Sequence, residues 1–194
     1  MQKHLFLTGP ACSGKSEMIK SVLGGRLAYA GGYVIVRAGG QNGAPPGCDL
    51  LPAAAAAGVE GYESARILSF SGTRLTHDNE VFREAGVHLL EEAGFYPFAV
   101  LDEVGGFELI IPQFRNALLE LLNSDQPCIG VLKSVQDAEM LRGVLGLGEK
   151  YTAYAQALHA ALDKDADTLV LETTGTGDTH AQRIVEQWAK EYAM

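Results

Sequence analysis

Positive charge, paired cysteines and long apolar runs are all scarce in this chain, and each scarcity removes a class of function. Fifteen Lys and Arg stand against 24 Asp and Glu, giving a formal net charge of −9. No basic run supplies a local patch, so there is no field to gather nucleic-acid phosphates or anionic lipid, and neither is an expected partner. The three cysteines, Cys12, Cys48 and Cys128, show no CxxC or Cys/His spacing of the kind zinc needs. Such unpaired thiols fit a reducing compartment, hence a cytoplasmic location. The opening MQKHLFLTGP holds an apolar run too short for a signal-peptide core, and nothing approaches the roughly 18 apolar residues of a membrane span. His4, His77, His88, His159 and His180 are scattered without ligand spacing.

Glycine, by contrast, is abundant: 23 of 194 residues, about 12% against roughly 7% in an average protein. Ten of these glycines fall between Gly24 and Gly61, in a segment that also holds Pro45, Pro46, Pro52 and five consecutive alanines at 53–57. Strands are expected at 33–37, 48–51 and 65–70, as an antiparallel excursion, with the alanine run as a possible short helix. Elsewhere apolar strand runs alternate with amphipathic helices: 5–7, 98–101, 128–132 and 168–171 for strands, with helical stripes between them. Thr76 and Asp78 are candidate N-caps for the helix that begins near Val81. Continuous apolar strands alternating with helices predict an α/β three-layer fold, a mostly parallel sheet covered on both faces. The length fits a single domain over 1–194 with an irregular insertion at about 38–64.

Directly after the first strand stands Gly9-Pro10-Ala11-Cys12-Ser13-Gly14-Lys15-Ser16, a match to G-x-x-x-x-G-K-[ST] in the strand-to-helix context that motif requires. Converging backbone N–H groups and the positive helix end answer the charge of a triphosphate. Gly9 and Gly14 allow backbone geometry closed to other residues and keep Cβ atoms off the phosphates. Lys15 is expected to reach the β and γ phosphates, and the Ser16 hydroxyl to ligate Mg²⁺. Cys12, at a helix N-terminus, is read as a small packing residue, with a redox brake on binding as the alternative.

The run Phe98-Ala99-Val100-Leu101-Asp102-Glu103 is a buried strand ending in two carboxylates, at the edge where open α/β sheets bind ligands. Asp102 is the candidate to hold Mg²⁺ through water, and Glu103 the candidate base for an attacking water. This pair suits hydrolysis better than transfer to a hydroxyl acceptor, which calls for an arginine-rich lid. The eight arginines are scattered; Arg115 and Arg74 are candidates to supply transition-state charge. Neither an Asn-Lys-x-Asp nor a Leu-Ser-Gly-Gly string occurs, which argues against small GTPases and transporter ATPases.

These residues resemble the THEP1 family of nucleoside-triphosphatases. The likeness rests on the phosphate loop, on Asp102-Glu103-Val104-Gly105-Gly106-Phe107-Glu108-Leu109, on Phe114-Arg115, on Asn123-Ser124-Asp125-Gln126-Pro127 with the strand ending at Lys133, and on Gly31-Gly32-Tyr33-Val34-Ile35-Val36-Arg37. The resemblance implies a P-loop domain with a RecA-like sheet and slow, Mg²⁺-dependent hydrolysis of ATP, GTP and other triphosphates with little base preference. It makes Glu103 the catalytic carboxylate, followed by Gly105 and Glu108. The chain departs from the family pattern at Cys12, at Glu17, at Lys133 and at Thr173-Thr174-Gly175-Thr176-Gly177-Asp178-Thr179. Lys133 stands where a polar sensor residue would follow the strand, as a γ-phosphate contact or a solvated strand end. The 173–179 stretch is read as loop punctuation with an N-cap at Asp178 or Thr179, or as the lining of a base or partner site. The expected activity is a nucleoside-triphosphatase, catalytic through Glu103 and Lys15. The alternatives are a nucleotide-dependent accessory protein with vestigial hydrolysis and a small phosphotransferase.

Overall fold

The computed structural model describes residues 1–39, 45–72 and 74–193. Eight strands form one sheet: β1 (His4–Thr8), β2 (Ala30–Ala38), β3 (Gly47–Pro52), β4 (Ala65–Ser71), β5 (Arg74–His77), β6 (Phe98–Val104), β7 (Cys128–Leu132) and β8 (Thr168–Glu172), in the order β5-β4-β3-β2-β6-β7-β1-β8. The block β2-β6-β7-β1-β8 is parallel, and β3, β4 and β5 extend it in antiparallel fashion. The helices are α1 (Lys15–Leu23), α2 (Asn79–Val81), α3 (Val87–Glu92), α4 (Pro112–Asn123), α5 (Val135–Leu145), α6 (Glu149–Lys164) and α7 (Thr179–Tyr192). Among the described residues no helix is long and apolar enough to cross a membrane.

The central strands read as unbroken apolar runs because both faces of the sheet are covered. Leu5, Leu7, Phe98, Val100, Ile129 and Val131 join the core under α1 and α7, around Met18, Ile19, Val185 and Trp188. Their alternates Phe6, Ala99, Leu101, Cys128 and Leu132 face the opposite core, with Phe114, Leu118, Tyr151 and Leu158 from α4 and α6. Burial there drives the Cys128 thiol up to about 12, so it is an inert core residue.

The antiparallel excursion forms as expected, but it widens the same sheet, because β2 pairs with β6 along one edge and β3 along the other. Residues 40–44 of the expected insertion lie outside the described residues. The alanine run is a 3₁₀ turn, Ala53–Ala57, closed off by Pro52 and Gly58. Thr76 belongs to β5 and caps nothing; Asp78 is the cap, its carboxylate accepting from the Glu80 N–H. The helix expected from Val81 onward carries a π turn over Phe82–Gly86, where Gly86 lies against the Phe82 and Phe114 rings and has no room for a side chain.

Candidate active site

The phosphate loop fills the turn from β1 to α1, with Gly14 in the left-handed region at φ 87° and Lys15 opening the helix. Its glycines have a second reason to be there beyond clearance of a phosphate. A Cβ on Gly9 (φ 134°) would stand 2.2 Å from the Thr173 carbonyl oxygen, and one on Gly14 would stand 1.9 Å from Thr176 Oγ1. The 173–178 loop leans on the phosphate loop, with the Thr173 N–H donating to Thr8 O (2.9 Å) and the Thr176 N–H to Ser13 O (2.8 Å). Asp178 fixes this brace: it accepts from the His180 and Ala181 N–H groups at the start of α7 and from the Thr173 hydroxyl. The loop therefore caps a helix and buttresses the phosphate loop. Lys15 is buried, and its ammonium donates to the carbonyls of Gly9 (3.1 Å) and Pro10 (2.6 Å).

The acidic strand is next but one to β1, with β7 inserted between them. Even so, the Ser16 hydroxyl donates to Asp102 Oδ1 at 2.6 Å, and the Ile35 N–H donates to the other oxygen at 3.3 Å. Burial raises the Asp102 pKa, while the Ser16 bond opposes that shift. The register of β6 against β7 slips between Leu101 and Val104, and Glu103 takes a left-handed φ of 62°, rare for a residue with a side chain. This turns Glu103 into an ion pair with Lys133, at the end of β7. Lys133 keeps only 22% of its side-chain surface in water, so it is no solvated strand end. Burial works against its charge, but Glu103, Glu108 and Asp102 outweigh burial and raise its pKa. Glu108, fully in the core, accepts from the Gly105 and Gly106 N–H groups at 2.8 and 2.7 Å. The Tyr151 hydroxyl donates to Gly105 O (2.8 Å) and anchors the same turn.

Lys15, Ser16, Glu103 and Lys133 all line one cavity of about 490 Å³ between α1, the strand ends and α5. Ala11, Cys12 and Glu17 line it as well, whereas Gly9, Pro10, Ser13 and Gly14 do not. Glu17 is largely exposed and approaches Lys20 at 3.9 Å. The structure corrects the arginine candidates. Arg115 donates to Leu109 O and its guanidinium lies 3.9 Å over the Tyr154 ring, and Arg74 starts the edge strand β5, so neither lines the cavity. Arg37 does: it donates to Cys12 Sγ at 2.7 Å. Its position at the end of β2, on the ligand edge of the sheet, was the signal that could have singled it out.

The chain is 29% identical over 157 residues to a nucleoside-triphosphatase THEP1 of Thermofilum pendens, spanning 76% of this chain and 83% of that one. Its fold matches the crystal structure of THEP1 from the hyperthermophile Aquifex aeolicus with a TM-score of 0.60 and 14% identity, covering 97% of this chain and 98% of the other. The family description "NTPase" matches residues 4–154, a stretch that runs from β1 into α6 and takes in the phosphate loop, both strand-end carboxylates and Lys133. On that match the chain belongs to the THEP1-type NTPase family and has its P-loop NTPase fold.

Proposed function

We propose that this chain hydrolyses nucleoside triphosphates to the diphosphate and phosphate, slowly and with little regard for the base, as one P-loop domain over 1–194 working in the cytoplasm. The observation that carries the reading is the 2.6 Å contact between the Ser16 hydroxyl and Asp102, with Ser16 and Glu103 lining the same cavity. In this reading the loop at 9–16 cradles the phosphates and the Lys15 ammonium leaves the Gly9 and Pro10 carbonyls for the β and γ phosphate oxygens. Ser16 and Asp102 present two hard oxygens side by side, a donor set that fits Mg²⁺. Mg²⁺, when bound, supplies neutralisation of the phosphate charge. Glu103 orients a water against the γ-phosphorus and takes its proton; the new P–O bond forms as the bond to the β–γ bridging oxygen breaks, and the diphosphate leaves with that electron pair. Slow turnover is consistent with Arg37, the one arginine lining the cavity among the described residues, being engaged with Cys12. Broad base acceptance fits the lack of an Asn-Lys-x-Asp string.

The test is phosphate release from Mg-ATP and Mg-GTP. Glu103→Gln is expected to lower kcat by about 10²–10⁴-fold with no loss of nucleotide affinity, and chelation of the metal to stop release. Unchanged release from Glu103→Gln would overturn the assignment. One observation favours a second reading, phosphoryl transfer to a small acceptor: the cavity extends to apolar walls at Ile67, Phe82, Phe107 and Leu141 that an attacking water does not need. Label passing from γ-³²P-ATP to a nucleoside or sugar panel would support transfer, and label found only in inorganic phosphate would dismiss it.

A further inference from the structure

Lys133 is placed between the two halves of the site by the strand order. It follows β7, and β7 separates β1, which feeds the phosphate loop, from β6, which carries Glu103. Parallel strands end at one edge, so the lysine side chain stands between the phosphate loop and the candidate base, lining the same cavity as both. Its ammonium is ion-paired with Glu103.

The backbones of this pair are held firmly. The Lys133 N–H donates to Val104 O at 2.8 Å, and the Lys133 carbonyl oxygen meets His159 Nε2 at 2.8 Å. The left-handed turn at Glu103 is fixed by Glu108 on the Gly105 and Gly106 N–H groups and by Tyr151 on the Gly105 carbonyl. Unusual backbone geometry persists only where its surroundings over-determine it, and it concentrates at functional sites. What remains free to move is the four-carbon stem of Lys133, a flexible arm ending in a point charge. Glu108 is already answered by two N–H groups and stays in place.

We propose that Lys133 is a triphosphate-gated latch on Glu103: its ammonium holds the Glu103 carboxylate until a γ-phosphate enters the loop, then moves to a γ-phosphate oxygen and releases Glu103 to the water. The inference rests on the hydrolase reading and deepens it. The exchange is favourable because a terminal phosphate carries more negative charge than one carboxylate and sits in the same low-dielectric cavity. A diphosphate offers no γ oxygen, so the latch stays shut. Lys133 thereby senses the γ-phosphate and also sets when the base is available.

The experiment measures binding of Mg-ADP and of the Mg²⁺ complex of the β,γ-imido analogue of ATP, with kcat and KM for ATP, on the full chain. Lys133→Met is expected to leave ADP affinity within about twofold while weakening the analogue by about tenfold or more, with a clear fall in kcat. Lys133→Arg should restore part of the preference for the analogue. Glu103→Gln, which frees the lysine, should tighten the analogue several-fold and leave ADP unchanged, and Glu103→Gln with Lys133→Met should cancel that gain. The double variant also covers instability in the single one, since it removes both charges of the pair and leaves neither unpaired. An unaltered ratio of analogue to ADP affinity in Lys133→Met, or a rise in its kcat, would overturn the latch. Wild-type protein releasing no phosphate from ATP or GTP would instead sink the hydrolase reading, and the affinity ratios would still decide whether Lys133 meets the γ-phosphate.

Discussion

At the residue scale, the two glycines of the phosphate loop separate by what they touch. Gly9 faces the backbone carbonyl of Thr173, which cannot swing aside, whereas Gly14 faces the hydroxyl end of Thr176, which can. Both adopt positive φ, so alanine is strained at either. Gly9→Ala is expected to cost about 2 kcal/mol or more, and Gly14→Ala less, with Thr176→Gly relieving part of the second but nothing of the first. Urea denaturation of the four variants checks the order; equal losses would show that the 173–178 loop does not set the cost. Glu103 was legible as a carboxylate after an apolar run. Its left-handed backbone and its lysine partner were not, because both follow from a register slip between β6 and β7 that no local pattern encodes.

At the scale of elements, the 173–178 loop is a strut between α7 and the phosphate loop. Its sequence reads as turn chemistry, and an N-cap at Asp178 was visible in it; the bracing was hidden, since Thr176 and Ser13 are 163 positions apart and meet only when β8 pairs with β1. Asp178→Ala is expected to lower the melting temperature and, because the loop slackens beneath Ser13, to weaken nucleotide binding several-fold as well. Asp178→Asn, which still caps, should keep most of both. A variant that lost stability with unchanged affinity would confine Asp178 to capping. The π turn at Phe82–Gly86 was masked in the sequence by a helical apolar period that continues through it.

At the scale of the whole molecule, His4 on β1, the strand beside the edge strand β8, is expected to link stability to pH. The imidazole is buried, with Nε2 against Leu122 O at 3.1 Å and Nδ1 without a partner. Burial, with Lys3 nearby, lowers its pKa from the ordinary 6.5, although the Leu122 bond opposes this. A histidine with a depressed folded pKa binds fewer protons folded than unfolded, so its contribution is present above 6.5 and is lost progressively below it. The urea midpoint should fall between about pH 7 and about pH 5, and His4→Gln should flatten that part of the profile; an equal slope in the variant would assign the loss to other groups. The sequence by itself determined the layered α/β fold, the phosphate loop and the acidic strand end, because period, glycine spacing and a run of apolar residues are local and carry their own meaning. Only the tertiary structure decided that β7 separates the loop strand from the acidic strand, that Lys133 rather than Arg115 or Arg74 stands over Glu103, and that Arg37 meets Cys12. Those contacts depend on strand order and register, which are fixed by burial of both sheet faces at once and so belong to the chain as a whole.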